Sequence, residues 1–231
     1  SALNPLVSGS TCEASVLPIV NDGVTEKISM DNLRGTLRGA SNTVSGQETS
    51  TIGGGVENTI SSDSYCSTIS GGGCNSILTD SCYSTISGGY CNYMSDSTYC
   101  ATISGGYNNC MTTNSYYSTI SGGYNNCMDD SGGSVIGGGE NNSLIDGSYD
   151  ATIGGGSENC IDNSGYSTIS GGGNGVMVNS DASVIGGGYD HVVSNSGYST
   201  ISGGYCNCIS TNSCYSTISG GYCNCVDDSC L

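Results

Sequence analysis

The chain has 231 residues, a formal charge of −17, no Trp, no Phe and only 10% charged residues. All three basic residues, Lys27, Arg34 and Arg38, lie near the N-terminus, so beyond them a nucleic-acid surface is excluded, because phosphate recognition needs clustered Lys and Arg. No run approaches the ~18 apolar residues of a membrane-spanning helix, which argues against membrane insertion, and no secretory leader is recognisable.

Residues 1–45 stand apart from the rest. They hold both prolines, Pro5 and Pro18, every basic side chain and little repetition. From Val16 the pattern reads strand, Asn21-Asp22-Gly23 turn, strand, then a short helix that Asp31 would cap. This segment is expected to be an N-terminal docking or capping module, with a repeat domain over 46–231. Val44 lies eight residues before Ile52 and marks a lone strand just ahead of the array.

From there one motif recurs eleven times: Ser/Ala-Thr/Val-Ile-Ser/Gly-Gly-Gly, centred on Ile52, Ile69, Ile86, Ile103, Ile120, Ile136, Ile153, Ile169, Ile185, Ile201 and Ile218, at spacings of 16 or 17. A period this short predicts a solenoid, one coil per repeat. Eight residues after each isoleucine stands a second apolar residue: Ile60, Ile77, Met94, Met111, Met128, Leu144, Ile161, Met177, Val193, Ile209 and Val226. Two inward marks half a period apart predict two short strands per coil, with the Gly-Gly pair turning the chain between them. Helix is disfavoured by the Gly, Ser, Thr and Asn content and by the lack of a 3.6-residue period. The fold class expected is therefore all-β, a parallel β-solenoid of about eleven coils.

Stacking turns each repeat position into a column. Taking the isoleucine as position 0, +6 is inward and is Asn58, Asn75, Asn92, Asn109, Asn126, Asn142, Asn159, Asn207 and Asn224, interrupted by Gly175 and His191. An inward Asn ladder is read as structural, its amides bonding up and down the stack. The outward column at −1 holds Thr51, Thr68, Thr85, Thr102, Thr119, Thr152, Thr168, Thr200 and Thr217, with Val135 and Val184. Such a flat file of small residues suits packing against another chain, and it also resembles the ice-binding face of antifreeze β-solenoids. Tyrosines gather at +4 and just before the motif, where packing between coils or chains is favoured over a sugar platform.

Fifteen cysteines fall largely into columns too. Adjacent coils lie ~4.8 Å apart, inside the Cα window for a disulfide. Cys74 with Cys91, Cys110 with Cys127, Cys206 with Cys223, Cys208 with Cys225 and one pair among Cys66, Cys82 and Cys100 are therefore candidate coil-to-coil staples, with the +5 and +7 columns read as one outward face. Disulfides would place the chain outside the cell or on a virion surface. Zinc is disfavoured by a single histidine, His191, and by the absence of two-residue Cys spacing. Acid pairs at Asp129-Asp130 and Asp227-Asp228 could take Ca²⁺, but acids do not recur at one place in every coil, and no cofactor is expected. Asn141 heads a single N-glycosylation sequon. No nucleophile, base and orienting acid stand together, so an enzyme is not expected. Cys230-Leu231 ends the sequence without a polar cap, so the expectation is either that the chain continues or that another molecule covers this edge, as in a head-to-tail filament.

Stretches such as Tyr117-Ser-Thr-Ile-Ser-Gly-Gly-Tyr-Asn-Asn126 and Ser134-Val-Ile-Gly-Gly-Gly-Glu-Asn-Asn-Ser143 resemble the head repeats of trimeric autotransporter adhesins and of phage and viral tail-fibre and appendage proteins. Residues Leu17 to Leu37 resemble a stretch found in phage tail-fibre chains. The resemblance spans about residues 42–231 and implies a left-handed β-roll, usually trimeric, displayed on an outer surface for attachment. The expected function is a structural fibre subunit of a virion appendage or extracellular filament. Its partners would be itself, as homotrimer or head-to-tail filament, and a cell-surface receptor or glycan. The alternative is an ice-binding or carbohydrate-binding solenoid module.

Overall fold

The computed structural model describes residues 16–21, 24–29, 41–45 and 49–229. The helix expected at Asp31 and the residues Cys12, Cys230 and Leu231 lie outside these. Strands β1 (Val16–Asn21) and β2 (Val24–Ser29) form an antiparallel pair with Asn21 opposite Val24, as the Asn-Asp-Gly sequence predicts.

All other strands belong to a parallel β-solenoid. From β3 (Thr43–Val44) and β4 (Thr51–Ile52) to β24 (Thr217–Ile218) and β25 (Cys225–Asp227), strands alternate between two sheets. The even-numbered ones form an eleven-stranded sheet and the odd-numbered ones a twelve-stranded sheet, each ordered along the chain. No described residue is helical. With a rise of ~4.8 Å per coil, eleven coils make a rod roughly 50 Å long.

Register is set by the inward residues. Ile103 pairs with Ile120, Ile153 with Ile169, and Met111 with Met128. The side-chain period of a strand is 2, so a one-residue slip would drive every isoleucine into water. Along the interior of the rod these side chains are 0–1% exposed, and only the end coils open, at Ile52 (3%) and Ile218 (6%). Two apolar side chains per coil make a thin core, and polar ladders complete it.

The Asn column is the first of these ladders. Asn126 is representative. Its Nδ2 donates to Asn109 Oδ1 (3.1 Å), Gly122 O (3.0 Å) and Gly139 O (3.0 Å). Its Oδ1 accepts from the backbone N (3.0 Å) and Nδ2 (3.1 Å) of Asn142. Each amide thus satisfies buried groups of its own turn and both neighbouring coils. The ladder begins earlier than the proposed boundary at residue 46. Asn42 Oδ1 accepts from Asn58 N (2.8 Å), and Thr43–Val44 pairs with Thr59–Ile60, so the solenoid reaches back to residue 42. Asn224, in the last described coil, is exposed.

Two serine columns, not singled out from the sequence, are the second and third ladders. At −2, Ser84 N donates to Ser67 Oγ (3.1 Å) and Ser199 N to Ser183 Oγ (3.1 Å). At the far turn, Ser180 N donates to Ser164 Oγ (2.8 Å) and Ser213 N to Ser196 Oγ (3.0 Å). These hydroxyls are almost fully buried.

The Asn ladder has two breaks, at Gly175 and His191 in adjacent coils. Gly175 N still donates to Asn159 Oδ1 (3.0 Å), and a Cβ on Gly175 would lie 2.9 Å from that oxygen. His191 is 1% exposed, its Nδ1 accepts from Asn207 N (3.2 Å), and its Nε2 has no partner. Replacing both, Gly175→Asn with His191→Asn, restores a continuous ladder. The pair is expected to raise stability by about 1–2 kcal/mol, because each restored amide can bond to both neighbouring coils as Asn126 does. A double-mutant cycle in urea reads the coupling.

Candidate interaction faces

The outer surface of the eleven-stranded sheet carries two parallel files. One is the Thr/Val column at −1, and the other is Ser or Gly at +1, beginning Gly53, Ser70, Ser87, Ser104 and Ser121. Both lie outward because the isoleucine between them points in. Neither file contains a charged residue in any coil, although the chain holds 20 acids. The opposite sheet is mixed: its outward positions include Cys110, Cys127, Cys160, Val176 and Val192, but also Asp129, Asp162 and Asp227.

The acids are largely occupied in holding turns. Asp80, Asp130, Asp146, Asp150, Asp190 and Asp228 all have φ near +50°, a region that short polar side chains tolerate best. Asp130 accepts from Tyr149 Oη (2.7 Å) and Asn114 Nδ2 (3.3 Å), and the carboxylate pushes the Tyr149 hydroxyl up to about 12. Thr112 donates to Asp129 (2.9 Å). Hydroxyls of Thr211 and Ser210 hold the Asp227 carboxyl below its ordinary range. Among the described residues, no group of three or more His, Cys, Asp or Glu stands close enough to hold a metal ion.

The cysteine columns come into register, with two corrections. First, Cys74, Cys91, Cys206 and Cys223 at +5 have φ of 53–56° and sit in the turn before the strand, not on the sheet face shared by the +7 cysteines. A strand reading missed this because Cys has no preference for left-handed backbone. Second, Cys66 and Cys100 share a column with Tyr83 between them, whereas Cys82 lies in the adjacent column, where its thiol donates to Asp63 O (3.2 Å). Two pairs meet on the sheet face, where Cys110 lies opposite Cys127 and Cys208 opposite Cys225 in the parallel ladder. The Cys127 thiol beside Cys110 lowers the pKa of Cys110, while Cys110 and burial raise that of Cys127. All thirteen described cysteines are free thiols. With diamide as oxidant, Cys110–Cys127 and Cys208–Cys225 are expected to close. Cys160, flanked by Ser143 and Val176, is expected to stay alkylatable in a peptide map.

The +4 tyrosines form two stacked runs. Tyr90, Tyr107 and Tyr124 have ring centroids 5.7 and 5.5 Å apart, and Tyr189, Tyr205 and Tyr222 have centroids 5.8 and 5.4 Å apart. Their interplanar angles are 7–16°, so the ring faces are spent on one another and a sugar meets mainly ring edges there. Glu140, Ser157 and Gly173 separate the runs in the same column. The sequon residue Asn141 is half-buried in an outer amide file, where Asn108 donates to Asn125 (2.8 Å) and Asn125 to Asn141 Oδ1 (2.6 Å).

Taken together, the fold defines a class, the parallel β-solenoid repeat proteins. No protein-family model matches the chain, and no curated protein shows significant similarity to it.

Proposed function

We propose that the protein is a structural fibre subunit, a stiff rod of a virion appendage or extracellular filament, which associates side by side with its own copies and displays its remaining surface for attachment. The observation that carries this reading is the uncharged Thr/Ser face running the length of an otherwise acidic solenoid. Copies of a chain with a formal charge of −17 repel one another. They approach at least cost through a face that carries no charge, and small side chains there allow sheets to pack closely. A thin core gains most from such lateral burial. The interior ladders supply the stiffness, because each coil is tied to both neighbours at several points. The chain in this reading carries out no chemistry and holds no cofactor, and its recognised partner is a cell-surface receptor or glycan.

Solution X-ray scattering tests the geometry. Lateral association predicts a wider cross-section with the solenoid length held near ~50 Å, whereas end-to-end growth would lengthen the particle at constant cross-section. The paired hydroxyl files favour one second reading, an ice-binding face. For that reading the readout is faceting of ice crystals by a monomeric protein, and unshaped crystals would remove it.

A further inference from the structure

A column of tyrosines is interrupted at Cys82, between Tyr65 and Tyr99. The +13 column at the turn opposite the Gly-Gly pair begins Tyr65, Cys82, Tyr99, Tyr116. Tyr99 and Tyr116 stack at 5.2 Å with an interplanar angle of 9°, and Tyr117 of the neighbouring column meets Tyr99 edge-on at 5.4 Å. One coil pair earlier the same arrangement is incomplete. Tyr83 meets Tyr65 edge-on at 5.5 Å, but Cys82 stands where Tyr116 stands in the complete set. A cleft of about 330 Å³ results, lined by Tyr65, Asp80, Cys82, Tyr83, Ser97 and Tyr99. Cys82 is buried, at 8% exposure, whereas Tyr65, Tyr83 and Tyr99 are 43%, 56% and 37% exposed.

We infer that this slot binds a quaternary ammonium group such as that of choline, a function independent of the fibre reading above. Tyr65 and Tyr99 lie two coil rises apart, so a guest between them is ~5 Å from each ring, within the ~6 Å reach of cation–π attraction. The third ring, Tyr83, closes one side. Asp80 places a carboxylate on the lining, and no Lys or Arg follows Arg38 to occupy the slot from within the chain. The field of a strongly acidic chain raises the local concentration of cations further. A neutral guest of the same shape gains only burial, and an anion is repelled by Asp80.

The test is titration of the full chain into choline, following the N-methyl proton resonance by NMR, beside its neutral isostere 3,3-dimethyl-1-butanol. The ring currents of Tyr65 and Tyr99 are expected to move the choline resonance upfield, with little change for the isostere. Asp80→Asn is expected to weaken binding about three- to tenfold. Cys82→Tyr completes the tyrosine column in the manner of Tyr99 and Tyr116 and is expected to abolish binding. Phosphocholine separates a headgroup source from a free ammonium and should bind more weakly than choline, because its phosphate faces Asp80. Absence of any choline shift, equal shifts for the isostere, tighter binding of phosphocholine, or undiminished binding by a folded Cys82→Tyr variant would each overturn the assignment.

Discussion

Asn126→Leu is expected to destabilise the solenoid by about 4 kcal/mol, although leucine shares the heavy-atom branching of asparagine and belongs to the core by hydropathy. The side chain of Asn126 makes five hydrogen bonds, to Asn109, Gly122 and Gly139 as donor and to Asn142 twice as acceptor. Removing it leaves the backbone N–H of Asn142 and the carbonyl of Gly122 without a partner in a site with no exposure, while Gly139 O keeps its bond from Tyr124 N. Each such orphan costs about 1–3 kcal/mol, more than the transfer energy a leucine regains. Because repeats contact only their neighbours, the damage should be local. Urea unfolding of the variant is expected to separate into two transitions, one for each side of the break. Hydrogen exchange should accelerate first at Asn142. A single transition at the wild-type midpoint would show that the ladder contributes little.

The second large effect separates two adjacent glycines. Gly72→Ala is expected to cost about 4 kcal/mol and Gly71→Ala less than about 0.5 kcal/mol. Gly72 has φ +87°, and a Cβ there would overlap the carbonyl oxygen of Gly89 in the next coil and lie 2.8 Å from Asn75 Nδ2. The methyl group must therefore push two coils apart or expel the Asn amide from its ladder, on top of the backbone strain. A Cβ on Gly71 meets no atom within 4 Å. Thermal unfolding of the two variants, measured side by side, reads the contrast directly. Equal losses would mean that turn flexibility, and not close approach, is what the Gly-Gly pair supplies.

Much of this architecture is legible in the residues themselves. The isoleucines repeat without exception, the apolar residue at +8 never fails, and Asn at +6 is too regular for a solvent-exposed turn. What escapes a sequence reading depends on backbone geometry or on the neighbouring coil. Serine columns resemble ordinary turn composition, yet Ser67 and Ser164 are buried partners of the next coil's backbone. Left-handed conformations at Cys74, Cys91, Tyr117 and Tyr166 contradict the local preferences of those residues and are enforced by stacking on coils that already turn that way. Gly175 and His191 read as two isolated exceptions in the sequence, and only stacking shows that they leave two consecutive coils without a ladder amide. The slot at Cys82 is likewise invisible in one repeat, since its walls are Tyr65 and Tyr99 from the coils on either side.

The side-by-side association of rods through the Thr/Ser face is tested most directly by absolute mass in solution. Light scattering on a sizing column, in reductant, should give a mass of at least two 23.2 kDa chains for the wild type. The same measurement on Thr119→Lys with Thr152→Lys, which puts charge onto the middle of the uncharged face while leaving the inward residues untouched, should return a monomer. A wild-type monomer, or a variant that assembles as well as the wild type, would contradict the account.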